Sequence, residues 1–173
     1  MIVPDDKDWT WVLDRRCEEC GFDAGSCDPS DVGRLVTRNA RDWEQLAEIG
    51  AIRPGRPDDG TWSALEYACH VRDVFQRFDE RIALMLTLDD PLFANWDQDA
   101  TAIAEAYESQ DPLSVTHALT DAAAALAAHL DAIAPHEWER PGRRSDGARF
   151  TVATIARYMI HDPVHHLWDV RPH

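Results

Sequence analysis

Residues 61–90 read TWSALEYACHVRDVFQRFDERIALMLTLDD and predict a long amphipathic helix. Ser63 is followed three residues later by Glu66, and such a capping box satisfies backbone amide groups that a helix start leaves without partners. Apolar side chains then recur at helical spacings, which indicates that one face of the helix is buried. That face consists of Leu65, Ala68, Phe75, Phe78, Ile82 and Leu86.

Three further segments carry a helical pattern. The first follows Asp28 and Ser30, either of which can cap it, and continues to Ile49. The second begins after Asp111 with a proline at its first turn, and the third can be capped by Thr151. Each segment therefore has a start signal of its own.

Four long helices joined by two long connections predict an all-α fold, a four-helix bundle. A short helix is expected in one connection, at about 100–108, and no segment alternates between apolar and polar residues as a strand would. The bundle domain is predicted over residues 30–173, and residues 1–29 form an irregular, cysteine-containing amino-terminal arm.

Composition excludes several functional classes. The 173 residues carry a net charge of −15, which argues against nucleic acids and anionic membrane surfaces as partners. No apolar run has the length of a membrane span, and the first residues lack the pattern of a signal peptide, so a cytoplasmic protein is expected. Lys7 is the only lysine, and this use of arginine is typical of a GC-rich genome.

The sequence IARYMIHDPVHHLWDV, residues 155–170, contains two histidines four residues apart, His161 and His165. On a helix their Cβ atoms lie about 5–6 Å apart, a distance that allows both imidazoles to bind one metal ion. His70 lies beside the apolar face of the 61–90 helix and is the best candidate for a third ligand. The alternative is that a histidine-rich end is simply solvated, and His166 is expected at the surface or beside a ligand.

Pro163 lies between the two histidines and removes one helix hydrogen bond, at a cost of about 3 kcal/mol. The helix is expected either to kink there or to begin again, with Asp162 as its cap. We favour the kink, because metal coordination can offset the strain.

WSALEYACHVRDVFQRFDERI and YMIHDPVHHLWDV resemble two helices of the DinB-like superfamily of small bacterial metal-binding proteins. The resemblance covers about residues 30–170. It implies an up-up-down-down bundle and one divalent ion, with zinc or nickel expected, held by His70, His161 and His165. Related proteins include S-transferases that depend on mycothiol or bacillithiol, and maleylpyruvate isomerase.

This resemblance predicts a thiol-dependent S-transferase that joins a small electrophile to a low-molecular-weight thiol such as mycothiol. Two alternatives remain. One is a metal-dependent hydrolase of a small amide or ester, in which Glu66 or Asp73 serves as base. The other is a non-catalytic, metal-stabilised bundle that binds a ligand or forms a homodimer through an apolar helix face.

Other side chains are candidates for supporting roles. Glu66, Asp73 and Asp169 each lie about one helical turn from a predicted ligand and could orient its imidazole ring. The loop arginines could hold an anionic substrate, although an exposed basic loop is the simpler interpretation. These arginines are Arg143, Arg144 and Arg149.

The stretch CEECGFDAGSC places Cys17, Cys20 and Cys27 close together. A second zinc site is one interpretation, and it needs a fourth ligand from elsewhere in the chain. A disulfide or redox pair is another, and reduced thiols are the third. Cys69 is expected to pack inside the bundle as a small apolar residue.

Overall fold

A computed structural model describes residues 9–171, so the sequence-based predictions for residues 1–8 and 172–173 lie outside the described part. Five α-helices and three short strands occur in this range. The helices are α1 Val32–Glu48, α2 Ala64–Thr87, α3 Gln98–Ala104, α4 Pro112–Asp131 and α5 Val152–Val170. The strands are β1 Leu92–Phe93, β2 Pro141–Arg144 and β3 Arg149–Thr151.

The four long helices pack as a bundle in which α1 and α2 each contact both α4 and α5. Fully buried side chains from all four meet in the core, among them Trp43, Phe75, Leu119 and Ile155. Consecutive helices α1 and α2 are therefore not the main neighbours in the bundle, which accounts for the long connection between these two helices. The direction of each helix, predicted as up-up-down-down, stays a prediction.

The start signals expected for α2, α4 and α5 are confirmed, whereas the amino-terminal end of α1 has no side-chain cap. The Ser63 side chain accepts a hydrogen bond from the Glu66 amide, and the Glu66 carboxylate accepts one from the Ser63 amide. Asp111 caps α4 through the Ser114 amide, and Thr151 caps α5 through the Thr154 amide. Asp28 caps a short 3-10 helix that leads into α1.

The fold is not purely all-α as predicted, because the three strands form one small sheet. β1 pairs in parallel with β2, and β2 pairs antiparallel with β3, in the order β1-β2-β3. Strands of two to four residues are too short to show alternation, and they depend on pairing between two connections that are distant in sequence. The sheet lies in the segments that the sequence suggested were loops.

Pro163 lies inside α5, which continues from Val152 to Val170, so Asp162 does not begin a new helix. The Asn39 amide group of α1 donates a hydrogen bond to the Pro163 carbonyl, over 2.8 Å. His161 and His165 are 4% and 8% exposed. The helix is therefore continuous across the proline, and both histidines are buried.

The described part of the amino-terminal arm is packed against the bundle. It contains a 3-10 helix, Trp9–Leu13, that lies on α5. Val12, Cys17 and Ala24 are buried. Within the described residues, no helix is both long and apolar enough to cross a membrane.

Candidate metal centres

Two clusters of metal-binding side chains meet at a single turn of α5. His161 and His165 form one i, i+4 pair, and Asp162 and His166 form a second pair one residue further along. Successive residues on a helix point about 100° apart, so the two pairs face different neighbours. The first pair meets the amino-terminal arm and the second meets α2.

The cluster that faces α2 consists of His70, Asp162 and His166, and we call it the open centre. His70 Nε2 lies 3.1 Å from Asp162 Oδ1, and His166 Nε2 lies 3.4 Å from the same oxygen. Two atoms that bind one zinc ion at about 2.0–2.2 Å lie roughly 3.0–3.5 Å apart. The spacing therefore fits a divalent ion bound by two nitrogens and one oxygen.

Aromatic rings hold His70 in place. The imidazole is completely buried, and it stacks on Trp96 with ring centroids 5.1 Å apart. Trp62 contacts it edge-on at 5.3 Å. Its Nδ1 atom is buried and has no hydrogen-bond partner among the described residues, so Nε2 is the atom through which His70 meets polar groups.

A carboxylate orients His166. Its Nδ1 lies 2.8 Å from Asp169 Oδ2, which leaves Nε2 directed at Asp162. A histidine ligand usually donates its other ring N–H to such an acceptor, which fixes the ring and strengthens the ligand. The arrangement at Asp169 is therefore typical of a metal-binding histidine.

The charge of Asp162 suits a cation. Burial alone raises the pKa of this carboxyl, but the nearby His70 and His166 outweigh that effect and lower it well below its usual value. Burial, together with neighbouring His165, lowers the pKa of His161 to about 4. At neutral pH, Asp162 is ionised and His161 is neutral, and these are the protonation states that bind metals.

A pocket of about 90 Å³ opens beside these side chains. Trp9, Gln98 and Tyr158 line it together with Asp162 and His166 of the open centre, and His161 and His165 border it as well. Burial is the main cause of the raised pKa of Tyr158, so its hydroxyl stays protonated at neutral pH. The pocket thus combines the open centre with a hydroxyl group that can donate a hydrogen bond.

The second cluster consists of Cys17, Cys20, His161 and His165, and we call it the cysteine cluster. All four cysteines of the chain are free thiols, so no disulfide forms. Cys27 does not belong to the cluster, and its thiol donates to the Asp28 carbonyl at 3.4 Å.

The predicted ligand set of His70, His161 and His165 is divided between the two clusters. The structure brings His161 and His165 together, as the i, i+4 spacing predicted, but it places His70 with Asp162 and His166. Sequence reasoning missed Asp162 and His166, although they carry the same four-residue spacing. The pair that faces α2 is set by the rotation of α5 about its axis, which spacing alone does not reveal.

Two of the predicted orienting carboxylates have other partners. Glu66 is buried, and it accepts hydrogen bonds from Arg56 and from the Ser63 amide. Asp73 accepts from Arg72 at 2.6 Å and also from the Tyr107 hydroxyl. Neither carboxylate belongs to a metal-binding cluster among residues 9–171.

The three loop arginines are also placed away from the open centre. Arg143 pairs with Asp90, and Arg144 bonds Asp146 and the Tyr158 hydroxyl. Arg149 is exposed on β3. Of the three, only Arg144 contacts a residue of the pocket, since it donates a hydrogen bond to the Tyr158 hydroxyl.

The profile of the DinB superfamily matches residues 31–170. The chain belongs to the DinB superfamily. A solved structure with the same fold is that of YfiT from Bacillus subtilis, described as a probable metal-dependent hydrolase with an unusual four-helix bundle topology. The two proteins are 17% identical, and the TM-score is 0.72 over 82% of this chain and 85% of YfiT. No curated protein matches this DinB superfamily sequence.

Proposed function

We propose that this DinB superfamily member is a metal-dependent S-transferase that joins a low-molecular-weight thiol, such as mycothiol, to a small electrophile. The observation that supports the proposal is the open centre itself. Its three ligand atoms come from His70, Asp162 and His166, and the last two of these residues line a pocket. Three protein ligands beside a pocket are typical of a catalytic centre, whereas structural centres have four.

The side chains around the pocket favour a thiol as the nucleophile. The two carboxylates expected to serve as a base, Glu66 and Asp73, are held by Arg56 and by Arg72 with Tyr107. A thiol with a pKa of about 8.5 needs a shift of only one to two units to ionise near pH 7. Water, at 15.7, needs a shift of nearly nine units. Because neither of these two carboxylates is free to act as a base, the centre suits the more acidic nucleophile.

The residues of the chain have distinct roles in this proposal. His70, Asp162 and His166 would hold the ion, and the ion supplies a positive charge that lowers the pKa of a bound thiol. Asp169 keeps His166 in the ligand orientation through its 2.8 Å contact with Nδ1. The Tyr158 hydroxyl can donate a hydrogen bond to the electrophile, where negative charge develops.

The test compares His166→Ala with His117→Ala, a matched control on the exposed side of α4. Protein loaded with zinc or nickel is mixed with a thiol and a test electrophile, and conjugation and metal content are both measured. The His166 variant should lose activity and weaken metal binding, whereas the His117 variant should match the wild type. If wild-type protein with its metal conjugates no faster than a protein-free control across several thiols, the transferase proposal is refuted.

Hydrolysis of a small amide or ester is the second candidate. Its support is the likeness to YfiT, described as a probable metal-dependent hydrolase, and a ligand set of two histidines and one carboxylate, as in several zinc hydrolases. Turnover of ester or amide substrates without any thiol, lost in His166→Ala, would support this candidate. A fourth protein ligand would support a non-catalytic role, but the open centre has three among the described residues.

A further inference from the structure

The cysteine cluster has a geometry that the proposed function does not use. Cys17 Sγ lies 3.6 Å from His165 Nδ1, and Cys20 Sγ lies 3.7 Å from His161 Nε2. All four of these ligand atoms lie within 4.8 Å of one another. Two atoms come from the arm and two from α5, nearly 150 residues away.

These distances can be compared with those of a zinc ion in a tetrahedral site. With Zn–S at about 2.3 Å and Zn–N at about 2.0–2.1 Å, a tetrahedral angle places sulfur and nitrogen roughly 3.6 Å apart. The two observed sulfur–nitrogen distances agree with this value. A thiol–imidazole hydrogen bond would account for either contact alone, whereas four ligand atoms that all lie within 4.8 Å of one another form a group small enough to share one ion.

The backbone of the arm presents both sulfurs to the same side. The Cys17 amide donates to the Phe22 carbonyl at 2.9 Å, and the Gly21 amide donates to the Cys17 carbonyl at 3.0 Å. Gly21 has φ of +72°, a left-handed conformation that glycine adopts without steric cost. The sequence C-x-x-C-G therefore folds as a tight turn with its two thiols as neighbours.

The cluster is largely shielded from water, although Cys20 is only half-buried and both histidines border the pocket. Cys17 is 2% exposed, and both histidines are buried. Trp9 and Trp11 cover His161, with ring centroids 5.9 and 6.1 Å from the imidazole. Two thiolates would neutralise the charge of a divalent ion, which makes its burial in such an apolar place favourable.

A carboxylate also orients one of the ligand rings. His165 directs Nδ1 at Cys17, and its other nitrogen, Nε2, lies 3.4 Å from Glu19 Oε2. Such a contact between the second ring nitrogen and an acceptor accompanies most metal-binding histidines.

We propose that Cys17, Cys20, His161 and His165 bind a structural zinc ion that fastens the amino-terminal arm to α5. Four protein ligands close the coordination sphere, so this ion has no position for a substrate. Because Trp9 covers the cluster and also lines the pocket, the zinc ion holds one wall of the pocket in place. The site does not depend on the function proposed for the open centre.

The experiment uses the full chain, purified without a histidine tag, and replaces the bound zinc with cobalt. Cobalt bound by thiolates gives a sulfur-to-metal charge-transfer absorption that a centre of nitrogen and oxygen ligands does not give. The wild type should show this absorption. Cys20→Ser should lose it, together with one zinc ion per chain, whereas the matched control Cys27→Ser should keep both.

His166→Ala should also keep the charge-transfer absorption, since His166 belongs to the other centre, and this separates the two proposals. The wild-type spectrum remains decisive even if Cys20→Ser fails to fold. Wild-type protein that binds cobalt without a charge-transfer absorption would overturn the proposal. Loss of that absorption in Cys27→Ser would also overturn the assigned ligand set.

Discussion

The hydrogen bond between His166 and Asp169 allows a quantitative test of the open centre. Nδ1 and Oδ2 lie 2.8 Å apart, and each side chain is 18% exposed, so the contact is largely shielded from water. Asp169→Asn keeps the shape of the side chain but removes the charge that strengthens the His166 ligand. Loss of such a partner typically weakens metal binding by about 10- to 100-fold, or about 1.4–2.7 kcal/mol. We expect an effect of this size.

Manganese is the ion to use, because it prefers oxygen and nitrogen ligands and binds thiolate sites poorly. Electron paramagnetic resonance of free manganese during a titration gives the affinity of the wild type and of Asp169→Asn. Glu19→Gln is the matched control, because Glu19 contacts His165 of the cysteine cluster and is mostly exposed. An Asp169→Asn affinity within twofold of the wild type would refute this account of His166.

Three further predictions concern stability, measured by chemical denaturation. Burial raises the pKa of the Glu66 carboxyl, but hydrogen bonds from Arg56 and Ser63 outweigh that effect and lower the pKa below its ordinary value of 4.5. Glu66→Gln should therefore reduce the free energy of unfolding by about 2 kcal/mol at pH 7, and by progressively less as the pH falls below 4.5. An equal loss at about pH 3.5 would contradict this. Phe75→Ala should cost about 3–5 kcal/mol because Phe75 is fully buried, whereas Ile103→Ala, at a side chain 75% exposed, should change stability by under about 0.5 kcal/mol. Gly142→Ala places a Cβ 2.7 Å from Met85 Cγ and should cost about 1–3 kcal/mol; unchanged stability would show that Met85 moves aside freely.

The helices were predictable because each is specified by local signals. Ser63 and Glu66 cap α2, Asp111 caps α4 and Thr151 caps α5, and these contacts lie within a single turn. The sheet was not predictable in this way. Its strands are at most four residues long, and β1 and β2 meet across the chain separation between Phe93 and Pro141.

The same distinction between local signals and long-range contacts applies to the two candidate metal centres. The sequence by itself determined that α5 carries metal-binding side chains at a spacing of four, because helix geometry makes such residues neighbours. Only the tertiary structure decided which pair meets His70 and which meets Cys17 and Cys20. That choice depends on the rotation of α5 between α2 and the arm. A shift of one residue, about 100° on a helix, exchanges one set of partners for the other.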